Sequence, residues 1–180
     1  MTNKSETDPF RVERLTKEHD VSEFSSSNDE LTRYLLEDAL KDQSKRTSVT
    51  HLLLIGSGEI VGYFTLLTDS IKVDSTGPGI TFQSYPYSSI PAHKIARLST
   101  SRGYERKGLG TKMVDLSFRY LFEITRYAGC RVMTVDSKKG SEGFYEKCGF
   151  RRTRLKRGDT VPMYLDVRPF VEDIAERHSS

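Results

Sequence analysis

A strand that runs through a basic, glycine-containing turn directly into a long amphipathic helix limits the folds open to this chain more than any other feature. Lys94 to Thr100 reads as a short strand. Gly108 to about Ala128 reads as a helix, with Leu109, Met113, Leu116, Tyr120 and Ile124 near one face. Gly129 stands where a C′ glycine ends a helix, and Arg131 to Val135 opens a further strand. A helix with one apolar face set between two strands buries that face on a sheet.

The remaining segments fit the same architecture. Phe10 to Leu15 alternates weakly as a first strand. Ser27 precedes Glu30 by the capping-box spacing, and Asp29 and Glu30 put negative charge where a helix dipole favours it. Leu31, Leu35 and Ala39 then recur on one face, so the spacing predicts a helix to about Asp42. His51 to Ile55 and Glu59 to Leu67 flank Gly56-Ser57-Gly58 as a hairpin. Lys72 to Pro91 has no period. It reads equally as a binding loop and as a slack surface connection. Ser141 to Lys147 reads as a short helix ended by Gly149. Phe150 to Leu155 and Val161 to Val167 read as strands around Gly158-Asp159, and Pro169 to Arg177 as a short terminal helix. The expected fold class is α/β, a central mixed sheet with helices packed on it.

At 180 residues the chain suits one domain, expected over residues 10–168, with a disordered N-terminus at 1–9 and an extension at 169–180. Met1 to Asp8 is polar and lacks the apolar core of a signal peptide, and no stretch is long and apolar enough to span a bilayer. The expected address is the cytoplasm, without a membrane partner. Cys130 and Cys148 cannot make a disulfide framework and lack metal-ligand spacing with the histidines, so no metal site is expected. The net charge of +3 does not imply nucleic acid by itself. Arg151, Arg152, Arg154, Lys156 and Arg157 nevertheless crowd together, as a solvated strand and turn or as a rim for an anionic partner.

The chemistry concentrates in two segments. In Arg106-Lys107-Gly108-Leu109-Gly110-Thr111-Lys112 a basic turn meets a helix start, whose unpaired N–H groups form a ready anion site. Gly108 and Gly110 lack Cβ atoms, so a phosphate can approach the main chain. The spacing is neither that of a P-loop nor that of the dinucleotide fingerprint. In Ser141-Glu142-Gly143-Phe144-Tyr145-Glu146-Lys147-Cys148-Gly149-Phe150, Tyr145 can offer a phenol as general acid to a thiolate leaving group.

Together the two segments resemble the GNAT superfamily of N-acetyltransferases. The first is similar to its Gln/Arg-x-x-Gly-x-Gly/Ala pyrophosphate loop, and the second to its Phe-Tyr-Glu-Lys-x-Gly-Phe signature. The resemblance spans roughly Phe10 to Val167. It implies acetyl-coenzyme A as cofactor, bound where two central parallel strands splay, and direct attack by an amine acceptor. It implies that the backbone of Leu98, Ser99 and Thr100 pairs with the pantetheine arm, and that the Leu98 N–H polarises the thioester carbonyl. The amides of Arg106, Lys107, Gly108, Leu109, Gly110 and Thr111 would hold the pyrophosphate. Tyr145, beside Phe144, would protonate the thiolate. Glu105 stands where the family usually has Gln or Arg, so its side chain is expected to face away from the phosphate. Lys138 stands where an Asn often contacts pantetheine, and could reach a phosphate instead. Candidates for a general base are Glu59, Asp69, His93 and Asp136, each expected to be a surface or turn residue.

The acceptor is less marked. Phe24-Ser25-Ser26-Ser27-Asn28-Asp29-Glu30-Leu31-Thr32-Arg33-Tyr34-Leu35, with Ala39, resembles the opening helix of acetyltransferase toxins, as does Ala96-Arg97-Leu98. That resemblance implies aminoacyl-tRNA as acceptor and a small antitoxin as partner, and the basic cluster would suit a tRNA backbone. Because that toxin signature is incomplete, the leading expectation is a small-molecule amine or protein amino group as acceptor, with Phe82, Tyr85 and Tyr87 shaping the pocket, and the aminoacyl-tRNA acceptor is the alternative. A non-catalytic acyl-CoA or RNA binding module is a third reading. Members of the superfamily are often homodimers.

Overall fold

The computed structural model describes residues 9–56, 58–76, 86–155 and 158–170. The expected disorder at residues 1–8, most of the loop at 77–85 and the terminal helix beyond Phe170 lie outside the described residues. Strands β1 (Phe10–Arg14), β2 (Val49–Ile55), β3 (Glu59–Lys72), β4 (Ser89–Thr100), β5 (Val132–Lys138), β6 (Arg151–Arg152) and β7 (Thr160–Asp166) form one sheet in the order β1-β2-β3-β4-β5-β7-β6. The sheet is mixed: β1 runs antiparallel to β2 and β7 to β5, while β4 and β5 are parallel from Ala92↔Val132 to Ile95↔Val135. The helices are α1 (Asp29–Arg33), α2 (Ala39–Ser44), α3 (Leu109–Thr125) and α4 (Glu142–Lys147), with a π-helical turn at Tyr34–Asp38 joining α1 to α2.

The chain groups into two compact units, Met1–Thr65 with Arg97–Met113, and Leu66–Ala96 with Val114–Ser180. The first unit is organised by the apolar face of its opening helix. Leu35 and Ala39 are buried with Leu15, Phe24, Leu52, Leu54 and Tyr63, as their helical spacing predicts. Phe24 meets the Tyr63 ring edge-on at 5.4 Å, and the Tyr63 hydroxyl donates to the Leu31 carbonyl at 2.6 Å. Burial pushes the Tyr63 phenol well above the usual range. The cap is not Ser27, as the sequence spacing suggested, but Asn28. Its side chain accepts from the N–H groups of Glu30 and Leu31, because an Asx side chain one residue nearer the first turn reaches both donors. In the second unit, Ile71, Ile90, Ala92, Val132 and Tyr164 form the apolar cluster.

Several element boundaries depart from the expectation, with β3 running on to Lys72 rather than ending at Leu67. Strand β4 starts at Ser89 rather than Lys94 and takes in Pro91, whose carbonyl accepts from the Arg131 N–H, so the aperiodic segment is shorter than it reads. Helix α3 ends at Thr125, with hydrogen-bonded turns at Arg126 to Ala128 before Gly129. The strand expected over Phe150 to Leu155 keeps ladder pairs only at Arg151 and Arg152; beyond them the Arg154 N–H leaves for the Ser75 carbonyl.

Gly62 in β3 is fixed by close approach. A Cβ there would lie 3.0 Å from the Ser99 carbonyl oxygen and 3.0 Å from the Met113 sulfur. The Gly62→Ala variant is expected to lose about 1–3 kcal/mol by overpacking, seen as a lower urea midpoint at unchanged slope.

Candidate functional site

The turn between β4 and α3 presents backbone donors at the start of a helix. It leaves β4 through a 3-10 turn at Arg102–Tyr104, with Glu105 extended after it. Arg106 (φ 60) and Gly108 (φ 80) are both left-handed, which curls the backbone before the first helical residue, Leu109. The N–H groups of Arg106, Lys107, Gly108, Leu109, Gly110 and Thr111 find no acceptor among the described residues. The first bond of the helix is Lys112 N–H to the Gly108 carbonyl, at 3.1 Å. A Cβ added at Gly108 would meet no atom within 4 Å, so the space beside the loop is open. Adjacent free donors, a helix dipole and open space fit a diphosphate group.

Not every basic side chain expected to assist is aimed there. Lys107 donates to the Gly103 carbonyl at 3.0 Å and lies 5.0 Å over the Tyr104 ring. Lys112 lies 5.0 Å over the Phe10 ring. What the turn offers an anion is therefore mainly its backbone donors and Arg106, which is exposed. The Glu105 carboxylate accepts from the Ser27 N–H at 3.0 Å. That bond, with Arg102 and Arg106 nearby, holds its carboxyl below the usual range. Leu98, Ser99 and Thr100 sit at the end of β4 in this same unit, with Ser99 buried and its neighbours partly exposed.

Lys138, Phe144 and Tyr145 belong to the other unit. Lys138 ends β5 opposite Thr160, and its side chain is exposed. Tyr145 lies on α4 and is 8% exposed. Its ring packs edge-on against Phe144 at 4.9 Å and Phe150 at 5.6 Å. Burial pushes the Tyr145 phenol well above its ordinary range, so it keeps its proton at any physiological pH.

The candidate bases are not the surface or turn residues that the sequence suggested, except Glu59, which is exposed and accepts from the Tyr104 hydroxyl at 3.0 Å. Asp69 and Asp136 project from β3 and β5 toward Lys94. Its Nζ donates to Asp136 at 2.5 Å and stands 3.8 Å from Asp69, which also accepts from the Thr134 hydroxyl at 2.7 Å. They line a cavity of 230 Å³ with Ile71, Leu155 and Met163. Strand register brings them together, with Lys94 opposite Thr134 on parallel strands. The signal was available as the alternation of Thr134 and Asp136 on one face of β5. His93 is buried, which lowers its imidazole, and its Nε2 has no partner among the described residues.

Of the basic cluster, Arg151, Arg152 and Arg154 are exposed, with Arg152 donating to Glu146 at 2.9 Å; Lys156 and Arg157 lie outside the described residues. Tyr87 is 68% exposed, and Phe82 and Tyr85 lie outside the described residues. No described helix is long and apolar enough to cross a membrane.

Residues 12–150 match the family model described as the acetyltransferase (GNAT) family. The fold is similar to that of AtaT solved with acetyl-methionyl-tRNAfMet, at 17% identity and a TM-score of 0.80 over 89% of this chain and 96% of that one. A tyrosine-to-phenylalanine mutant of KacT is similar at 17% identity and a TM-score of 0.81, over 93% and 99%. A structure described as a bacterial toxin is similar at 16% and 0.82, over 92% and 95%.

The open space at Gly108 separates strain from crowding. Gly108→Ala is expected to fold and to lose only about 1 kcal/mol, the cost of a left-handed alanine, read from urea unfolding.

Proposed function

The chain belongs to the acetyltransferase (GNAT) family, and from that premise we propose that it acetylates the α-amino group of an aminoacyl-tRNA. The family's reaction is N-acetylation from acetyl-CoA, so the donor follows from membership. The observation that carries the donor site is the run of acceptor-free N–H groups from Arg106 to Thr111. These groups hold the pyrophosphate of the cofactor, and Gly108 leaves room for it.

The chemistry assigned to the other residues follows from their groups. Acetyl-CoA, when bound, supplies a thioester. The backbone of Leu98, Ser99 and Thr100 orients its pantetheine arm, and the Leu98 N–H polarises the carbonyl as an oxyanion donor does. The amine nitrogen bonds to the acyl carbon as the carbon–sulfur bond breaks. Tyr145 holds a proton at its hydroxyl for the departing sulfur, and its burial keeps that proton in place until it is needed. The attack is direct, so no covalent enzyme intermediate forms; the amine releases its own proton to water, and water returns a proton to Tyr145.

Two features support tRNA as acceptor rather than a small amine. AtaT, whose fold this chain shares, was solved with acetyl-methionyl-tRNAfMet. Arg151, Arg152 and Arg154 present exposed cationic side chains suited to a phosphate backbone. Because AtaT was also solved with the antitoxin AtaR, a small antitoxin is part of the same reading.

The purified protein, given acetyl-CoA and a mixed pool of charged tRNA, is expected to form acetyl-aminoacyl-tRNA and to stop translation in a cell-free system. Transfer to free amines or proteins, with charged tRNA untouched, would reject this acceptor. Tyr145→Phe should slow transfer by roughly 100-fold with the Kd for acetyl-CoA unchanged. In wild type the rate should show no alkaline loss from this phenol up to about pH 10, because burial raises its pKa above the free value.

A further inference from the structure

Glu105 puts a carboxylate immediately before the anion loop, where it would repel the group that the loop binds. It does not face into the loop. Its Oε1 accepts from the Ser27 N–H at 3.0 Å. Two further bonds join the same stretches: the Arg102 N–H donates to the Ser25 carbonyl at 2.8 Å, and its Nη2 to the Ser26 carbonyl at 3.1 Å. The receiving segment is itself held. Ser26 N–H donates to the Thr32 hydroxyl at 2.9 Å and Ser26 Oγ to the Asn28 carbonyl at 2.9 Å, while Phe24 is buried against Tyr63. Immediately after Glu105, Arg106 adopts a left-handed backbone that a side chain resists by roughly 1–2 kcal/mol. Such a conformation persists where its surroundings fix it.

We propose that Glu105 is a positioning residue for the cofactor: with Arg102 it clamps the loop to residues 25–27 and presets the free N–H groups that follow. It acts through the loop and does not touch the ligand. An acceptor-only side chain suits the task, since the clamp needs an oxygen facing a backbone N–H. A glutamine at 105 would keep that oxygen and remove the negative charge. The proposal rests on the reading that the loop holds acetyl-CoA.

The test is acetyl-CoA titration by calorimetry, with steady-state kinetics, on wild type, Glu105→Ala, Glu105→Gln and Gly108→Glu. Glu105→Ala should raise both Kd and KM about tenfold with kcat within about twofold, an effect the size of one hydrogen bond to a charged group. Glu105→Gln should restore Kd to the wild-type value or below. Gly108→Glu should abolish binding. If Glu105→Ala binds like wild type, or Glu105→Gln is as weak as Glu105→Ala, or kcat falls instead of KM rising, the clamp is wrong although the loop still binds. If Gly108→Glu binds as wild type does, the loop reading fails with it. Ser27→Pro removes the N–H donor while leaving the carboxylate in place, though it also fixes the backbone at 27 and restricts Ser26, and it should reproduce the Glu105→Ala defect.

Discussion

Helix α3 begins with backbone N–H groups that find no acceptor among the described residues, and the contacts of Glu105 and Arg102 hold the turn before them in place. Unpaired N–H groups at a helix start ordinarily find a capping side chain or water. Here a left-handed Arg106 and a left-handed Gly108 turn the chain before Leu109 without supplying any cap. The contrast with α1 is direct. There Asn28 takes the N–H groups of Glu30 and Leu31 onto its own side chain. One helix start is closed by its own sequence and the other leaves its donors without a capping side chain.

The support for the open end is local and layered. Gly62 lets the Ser99 carbonyl and Met113 of α3 approach β3 closely, and the Ser101 N–H donates to the Val61 carbonyl at 2.9 Å. Glu105 and Arg102 then tie the turn to residues 25–27. The Glu105 carboxylate, which a neighbouring phosphate would disfavour, is thereby engaged in holding the turn. Lys107 and Lys112, which a reading of charge alone assigns to the ligand, lie over Tyr104 and Phe10. What this turn presents to its surroundings is thus a run of backbone donors more than a set of free lysine charges.

Much of this was legible in the sequence because it follows from periodicity and glycine placement. The spacing of Leu31, Leu35 and Ala39, the helix after Gly108 and the hairpin about Gly56 all reflect local rules. What was not legible depends on partners distant in sequence. Pro91 sits in a strand because its carbonyl serves Arg131, which no local propensity reports. Asp69 and Asp136 read as surface residues until strand register sets them about Lys94. The carboxylate of Glu105 is explained only by Ser27, 78 residues earlier in the sequence. The family motif pointed to the loop and Tyr145 as candidates, but not to the partners that engage Lys107 and Lys112.

The central claim is that the backbone from Arg106 to Thr111 receives the pyrophosphate of acetyl-CoA. Titration of ¹⁵N-labelled protein tests it most directly, by following the amide resonances as acetyl-CoA is added. The account predicts that these amides shift together and saturate with the ligand, while pantetheine, which lacks the pyrophosphate, leaves them in place. Amides elsewhere shifting on acetyl-CoA, with Arg106 to Thr111 unmoved, would contradict it.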